Sequence, residues 1–280
     1  MPELPEVETV RRGLAEHVVG KKFKEIQVLH HRATSPKSMA ALESLRGARI
    51  EEVSRRGKFL WFILDRPEIL AGHLGMSGQF LIQPKGAPDE RHLRVRFKLG
   101  RQELRFIDQR TFGWLSVESS ISGRPSCVEH IAPDPFDKNF DIEATISRFR
   151  KKRTEIKRAL LDQGVMSGVG NIYADEALWR SKIHPETRTE KLKESRIGEL
   201  IQSATDVMSQ ALSVGGTSFD ELYINVNGQS GYFERSLAVY GREGESCPRC
   251  GSQIRRISFA NRSSHFCPKC QPTPRASGNR

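Results

Sequence analysis

The sequence predicts an α+β protein in two parts: an N-terminal antiparallel β-sandwich with a capping helix, then a helical domain that ends in a cysteine-rich β-hairpin. Three observations carry that prediction. Up to His130, short apolar segments are separated by Gly, Pro and Asp at the spacing of sandwich strands. After the Pro-rich passage HIAPDPFDKNF, from His130 to Phe140, the apolar period becomes helical. Near the end, CPRC at Cys247 and Cys250 and CPKC at Cys267 and Cys270 stand sixteen residues apart.

The capping helix begins in MPELPEVETV. Pro5 suits a first helical position, Glu6 and Glu8 suit the positive end of the dipole, and Val7, Val10, Leu14 and Val18 form one apolar stripe. KKFKEIQVLHH, from Lys21 to His31, reads as a strand, and LESLRGARIEEVSRRGKFLWFIL leads into two more. EILAGHLGMSGQFLI, HLRVRFKL and QELRFIDQ supply further short strands. Beyond the Pro-rich passage, Asp141 to Phe149 is expected as a short helix, and Thr154 is expected to cap EIKRALLDQ. NIYADEALWRSKI and ESRIGELIQSATDVMSQALSVGG follow as helices, the last ended by Gly215 and Gly216. The expected boundaries are a sandwich over 1–130, a linker over 131–145, a helical domain over 146–245, a four-cysteine zinc finger over 246–272 and a tail over 273–280.

The chain has 280 residues, a formal net charge of +11 and a pI near 9.6, which fits a polyanionic partner. From Ser246 to Arg280 there are seven Arg or Lys and no Asp or Glu. No apolar run approaches a membrane span and the acidic N-terminus has no signal-peptide pattern, so no membrane partner and a cytoplasmic location are expected.

Four candidate sites stand out. Removal of Met1 turns Pro2 into a free secondary amine that titrates near ~8, so at pH 7 roughly a tenth of it is neutral and nucleophilic. On attacking a sugar C1′ it gives an iminium that cannot lose a proton to become a neutral imine, and that electron sink favours elimination of the 3′ phosphate. Glu3 stands beside it to move protons during ring opening, and Glu6 is grouped with it as a second carboxylate. The same stretch is equally a helix start, and both readings can hold. In GHLGMSG, His73 and Met76 lie in a glycine-flanked loop, and DQRTFGW supplies Arg110 and Phe112. An apolar wedge offsets the cost of unstacking a base, and a guanidinium can bond the orphaned opposite base. The basic run RKKR, with Lys152, followed by Lys157 and the turn GVMSGVGN before Asn171, offers phosphate contacts at a helix start. The four cysteines are what a tetrahedral thiolate zinc site needs, and zinc is expected over two disulfides because nothing suggests export. Cys127 is left over as a small buried hydrophobe.

PELPEVE followed by TVRRGL resembles the N-terminus of the formamidopyrimidine-DNA glycosylases. The resemblance continues, in order, through the Lys58 segment SRRGKFLWF, the wedge loops, the Gly-rich turn and the cysteine pairs. It implies a helix-two-turn-helix element, one structural Zn2+ and a bifunctional DNA glycosylase and abasic-site lyase of base excision repair. The implied substrate is duplex DNA with oxidised purines, such as 8-oxoguanine and formamidopyrimidines. By the same resemblance Pro2 is the Schiff-base nucleophile and Lys58 a proton donor in β-elimination, although a lysine before a strand is otherwise an ordinary edge charge. Arg262 is implied in δ-elimination. Met76, Arg110 and Phe112 are similar to the void-filling set, and His73, His92, Lys152, Lys157, Asn171 and Tyr240 are grouped as DNA contacts. Leu4 favours this family over the endonuclease VIII branch, which reads PEGPE. The glycine-rich stretch from Val214 to Gly244, with Tyr223, Tyr232 and Phe233, is where a lid over an everted base is expected. A monomer is expected. Two other classes stay open at this point: an oxidised-pyrimidine glycosylase, and a zinc-dependent DNA-binding protein without catalysis.

Overall fold

In the computed structural model, residues 2–34, 39–215 and 236–274 are described. The chain divides into two compact units, Met1–His130 with Ala211–Glu234, and Ile131–Gln210 with Arg235–Arg280.

The first unit opens with helix α1, Leu4–Val18, whose stripe of Val7, Val10, Leu14 and Val18 is buried as expected. Strand β1 covers only Glu25–Val28, shorter than the Lys21–His31 expectation, because a single helical turn at His31–Ala33 and an isolated bridge from Lys22 to Arg49 use the flanks. A short helix α2, Met39–Glu43, follows. The remaining strands are β2 (Ile50–Arg56), β3 (Phe59–Leu64), β4 (Arg66–His73), β5 (Gly78–Pro84), β6 (Leu93–Lys98), β7 (Gln102–Asp108), β8 (Trp114–Ile121) and β9 (Arg124–Pro125). They form a four-stranded sheet in the order β1-β6-β7-β5 and a five-stranded sheet in the order β2-β3-β4-β8-β9, all neighbours antiparallel. Side chains from both sheets and from α1 form one core, with Phe62 edge-on to Phe80 at 5.8 Å across the layers. Burying an apolar side chain of this size contributes roughly 1.5–3 kcal/mol, which is why the period-2 pattern decides each strand's facing.

The second unit contains α3 (Ile142–Lys151), α4 (Ile156–Leu161), α5 (Asn171–Arg180) and α6 (Glu194–Ser213), the last running three residues past Gln210 into the other unit's segment. Asp141 caps α3 by accepting from the Ala144 N–H at 3.0 Å. Thr154 does not cap α4. Glu155 occupies that position, while the Thr154 carbonyl accepts the Thr189 N–H at 2.9 Å and the Thr154 N–H donates to the Thr189 hydroxyl at 3.3 Å. The Pro-rich passage is no free spacer either: Ile131, Ala132 and Asp134 are buried, and Ala132 donates to the Gln163 carbonyl at 3.0 Å. Strands β10 (Arg255–Phe259) and β11 (Arg262–Phe266) make the terminal hairpin. Its two-residue turn puts both Ala260 (φ 46°) and Asn261 (φ 61°) in the left-handed region, as a tight hairpin requires. Among the described residues, no helix is long and apolar enough to cross a membrane. Tyr223, Tyr232, Phe233, Gly216 and the last residues of the tail lie outside the described residues.

Candidate active site and zinc centre

Pro2 and Glu3 are buried at the start of α1. The Glu3 N–H donates to Glu6 Oε2 at 2.9 Å, closing a capping box that orients the chain terminus. Glu6 thus helps to shape the terminus. Glu8, which the sequence marked only as a dipole charge, ties α1 to the sheet: its carboxylate accepts from Arg11, from Arg12 at 2.7 Å and from Arg55 Nε at 2.8 Å. Burial alone would raise its pKa, but the Arg11 and Arg12 hydrogen bonds and the Arg55 charge hold it at about 2. Arg55 lies on β2, and Lys58 sits in the β2–β3 turn immediately beyond, only 6% exposed. A lysine so buried is not the solvated edge charge that its position before a strand suggested.

His73 ends β4 with its ring against Phe59 and stacked towards Trp114. Burial first, and the Lys58 charge second, lower its pKa to about 4, so it is neutral at pH 7 and Nδ1 accepts the Gly75 N–H at 3.1 Å. That bond shapes the loop that projects Met76, which is 39% exposed. Phe112 is 52% exposed on the adjoining loop, and the Arg110 guanidinium lies 5.0 Å from its ring centre. The two loops meet backbone to backbone. A Cβ on Gly75 (φ 60°) would stand 2.4 Å from the Phe112 carbonyl, so only glycine fits there.

What fixes these loops is Asp108, a residue that no sequence motif singled out. It is 1% exposed, and its carboxylate accepts the N–H groups of Arg110 (3.1 Å), Thr111 (3.0 Å) and Gly113 (2.7 Å) together with the Ser77 hydroxyl. Ser77 belongs to the Met76 loop, so one carboxylate holds both loops. The available signal was an Asp at the head of a turn, where its side chain mimics backbone acceptors. His92 is half-buried, and its carbonyl accepts the Asp108 N–H at 3.0 Å.

In the second unit, Lys152 is exposed and pairs with Asp162 at 2.6 Å. Lys157 corrects its expectation. Its side chain is 0% exposed, and Nζ donates to Asp175 Oδ1 at 2.6 Å and to the Ser263 carbonyl at 3.0 Å, so it is a core residue and no phosphate contact. Asn171 opens α5 and donates through Nδ2 to the same Ser263 carbonyl at 3.0 Å. Asp175 also accepts the Ser264 hydroxyl and the His265 N–H, both at 2.8 Å. The next residue, Glu176, accepts the N–H groups of Ala238, Val239 and Tyr240, each at 2.9 Å. Burial pushes the Glu176 carboxyl up despite those donors. Tyr240 is half-buried with its ring 5.1 Å from that of His265, and Arg262 is exposed at the hairpin tip. Cys127 is half-buried among the free cysteines.

The sulfur atoms of Cys247, Cys250, Cys267 and Cys270 lie within 4.8 Å of one another. Four thiolates at about 2.3 Å from a zinc ion place sulfurs roughly 3.8 Å apart. The observed separations, 4.0 Å from Cys247 to Cys270 and 3.4 Å from Cys250 to Cys267, fit that tetrahedron. The Trp179 indole N–H points at Cys247 Sγ at 3.4 Å, and Ser252 lowers the Cys250 thiol to about 6 through its backbone N–H. The donor set fits one structural Zn2+ with no ligand position left for chemistry.

Three family models match the chain in order. They are the formamidopyrimidine-DNA glycosylase N-terminal domain over residues 1–115, the formamidopyrimidine-DNA glycosylase H2TH domain over 131–222, and a zinc finger found in FPG and IleRS over 244–273. The chain belongs to the formamidopyrimidine-DNA glycosylase family. A formamidopyrimidine-DNA glycosylase of a Nocardioides species is 56% identical over 98% of this chain and 96% of its own length. Solved complexes of the Lactococcus lactis enzyme, 38% identical and covering 97% of this chain and 100% of that one, match with TM-scores of 0.90, 0.88 and 0.89. They contain, respectively, a Fapy-dG containing DNA, an abasic site containing DNA and an oxidized pyrimidine containing DNA.

Proposed function

We propose that this protein excises oxidised purines from duplex DNA through a Schiff base at Pro2 and then cleaves the strand by β,δ-elimination. Family membership supports the glycosylase of base excision repair, with lyase activity typical of the family. The observation that carries the Pro2 mechanism is the buried Pro2–Glu3 terminus, tied through Glu8 and Arg55 to the strand whose next turn holds Lys58.

In this reading the Pro2 nitrogen attacks C1′, the oxidised base departs, and Glu3 protonates the sugar oxygen as the ring opens. The iminium acidifies the C2′ proton. Loss of that proton breaks the C3′–O bond, and the 3′ phosphate leaves with the electron pair while Lys58 handles the proton. Met76, Arg110 and Phe112 fill the space left by the everted nucleotide. Lys152, Asn171, Tyr240, His73 and His92 contact the DNA, and Arg262 assists the second elimination. The protein acts as a monomer in the cytoplasm.

Borohydride reduction on a lesion duplex tests the nucleophile: peptide mapping should find the adduct on the N-terminal peptide, and an extension left in front of Pro2 should abolish it. An adduct on Lys58 overturns the mechanism. The Lactococcus lactis complex with an oxidised pyrimidine motivates a second substrate class. Excision of 8-oxoguanine is expected to exceed that of thymine glycol, and the reverse order would assign the pocket to pyrimidines.

A further inference from the structure

The charge pair inside the second unit has a function that its burial first conceals. Lys157 and Asp175 are both 0% exposed, so the pair cannot touch DNA. Burying such a pair is seldom a route to stability, since apolar residues of equal volume do as well. Its partners show what it does instead. Lys157 Nζ bonds the carbonyl of Ser263, the residue after Arg262, and lies 5.4 Å from the ring centre of Phe259. Phe259 is the cross-strand partner of Arg262. One ammonium thus grips both legs of the hairpin directly below its tip. Asn171 Nδ2 adds a second donor to the Ser263 carbonyl, and Asp175 fixes the next two residues through the Ser264 hydroxyl and the His265 N–H. Three consecutive positions, 263 to 265, are therefore held from one buried centre directly after Arg262, whose side chain is exposed.

We propose that Lys157 is a positioning residue for Arg262 and thereby controls the partition between β- and δ-elimination. The inference rests on the reading above that Arg262 serves the second elimination. In that step, after the 3′ phosphate has left, the C4′ proton is lost to water. Its electron pair moves into the conjugated iminium and returns to break the C5′–O bond, and the 5′ phosphate leaves as an anion beside the Arg262 guanidinium. A guanidinium stabilises that departing charge only when held at the right place, and a displacement of an ångström is costly to rate. Pro2, Glu3 and Lys58 belong to the first unit, so the earlier steps do not depend on this clamp.

The test uses the full zinc-loaded chain on a duplex with a preformed abasic site, quantifying β- and δ-elimination products. Lys157→Met is expected to lower the δ/β product ratio about tenfold, with the first strand cleavage within about twofold and one zinc per chain retained. Because Lys157→Met leaves the Asp175 carboxylate buried without its counter-charge, a Lys157→Met, Asp175→Asn double variant removes both charges and carries the test if the single variant does not fold. Arg262→Gln is measured beside them. If Arg262→Gln lowers the ratio and neither Lys157 variant does, the positioning role is wrong although the Arg262 assignment stands. If Arg262→Gln leaves the ratio unchanged, the Arg262 reading fails and this proposal with it. A Lys157 variant that loses first cleavage and second cleavage in equal measure also overturns it.

Discussion

A buried aspartate holds the exposed loops of the first unit and another holds the hairpin of the second, and the two solve the same problem by different means. Asp108 is 1% exposed and Asp175 is 0% exposed. Asp108 is surrounded by three backbone N–H groups and a hydroxyl, all from its own and the adjoining loop. Asp175 faces an ammonium, a hydroxyl and a backbone N–H drawn from α4 and from the distant hairpin. Amides that a turn already presents cost little to gather, so a loop can be fixed locally and still carry exposed side chains. A hairpin that is remote in sequence has no such donors at hand and is gripped by an ion pair. The contrast teaches that local order is written in backbone donors, whereas long-range placement here depends on charge.

The largest effect that sharpens this contrast is removal of the metal. Zinc binding by four thiolates is worth about 10–16 kcal/mol of folding free energy. Cys250→Ser should therefore lose zinc and DNA affinity and unfold the hairpin, while calorimetry still finds the N-terminal sandwich melting as before. Stoichiometric zinc after that change would break the assignment of all four cysteines as ligands.

Next comes Asp175→Ala, which strands the Lys157 ammonium in the core at a cost of about 3–5 kcal/mol. Urea unfolding of the second unit should report that loss, and amide exchange at Ser264 and His265 should quicken. A cost near that of a surface substitution would mean the pair contributes nothing to holding the hairpin.

Asp108→Ala should cost less, about 1–3 kcal/mol, because two of the three orphaned amides, those of Arg110 and Thr111, lie near solvent and only that of Gly113 is buried. Its signature is functional: discrimination among opposite bases should flatten, as is also expected of Arg110→Ala, and the double variant should be no worse than Arg110→Ala alone. Full additivity would separate the wedge from its anchor.

The smallest effect is a pH dependence. An unfolded histidine titrates near ~6.5, whereas His73 in the fold is lowered to about 4 by burial and by Lys58. Between those values the unfolded chain binds more protons, so stability falls as pH is lowered from about 6.5 towards 4. His73→Gln should show a flatter profile in that window, and an unchanged slope would remove His73 from the acid response.

Much of this protein is legible in its sequence. The α1 stripe, the sandwich strands and the four zinc ligands follow from short-range spacing, where period, turn chemistry and ligand geometry act over a few residues, whereas Met76, Arg110 and Phe112 are picked out by resemblance. The tertiary structure alone decided which charges are tools and which are struts. Lys157 stands in a basic stretch beside Lys152, yet one is core and the other is exposed. The deciding partners of Lys157 lie 18 and 106 residues away, at Asp175 and Ser263. Likewise, Glu8 became the tie between α1 and β2 through Arg55, 47 residues on. A charged side chain is stable in a core only when its counter-charge is brought to it. That meeting is made by the fold, so no local pattern in the sequence records it.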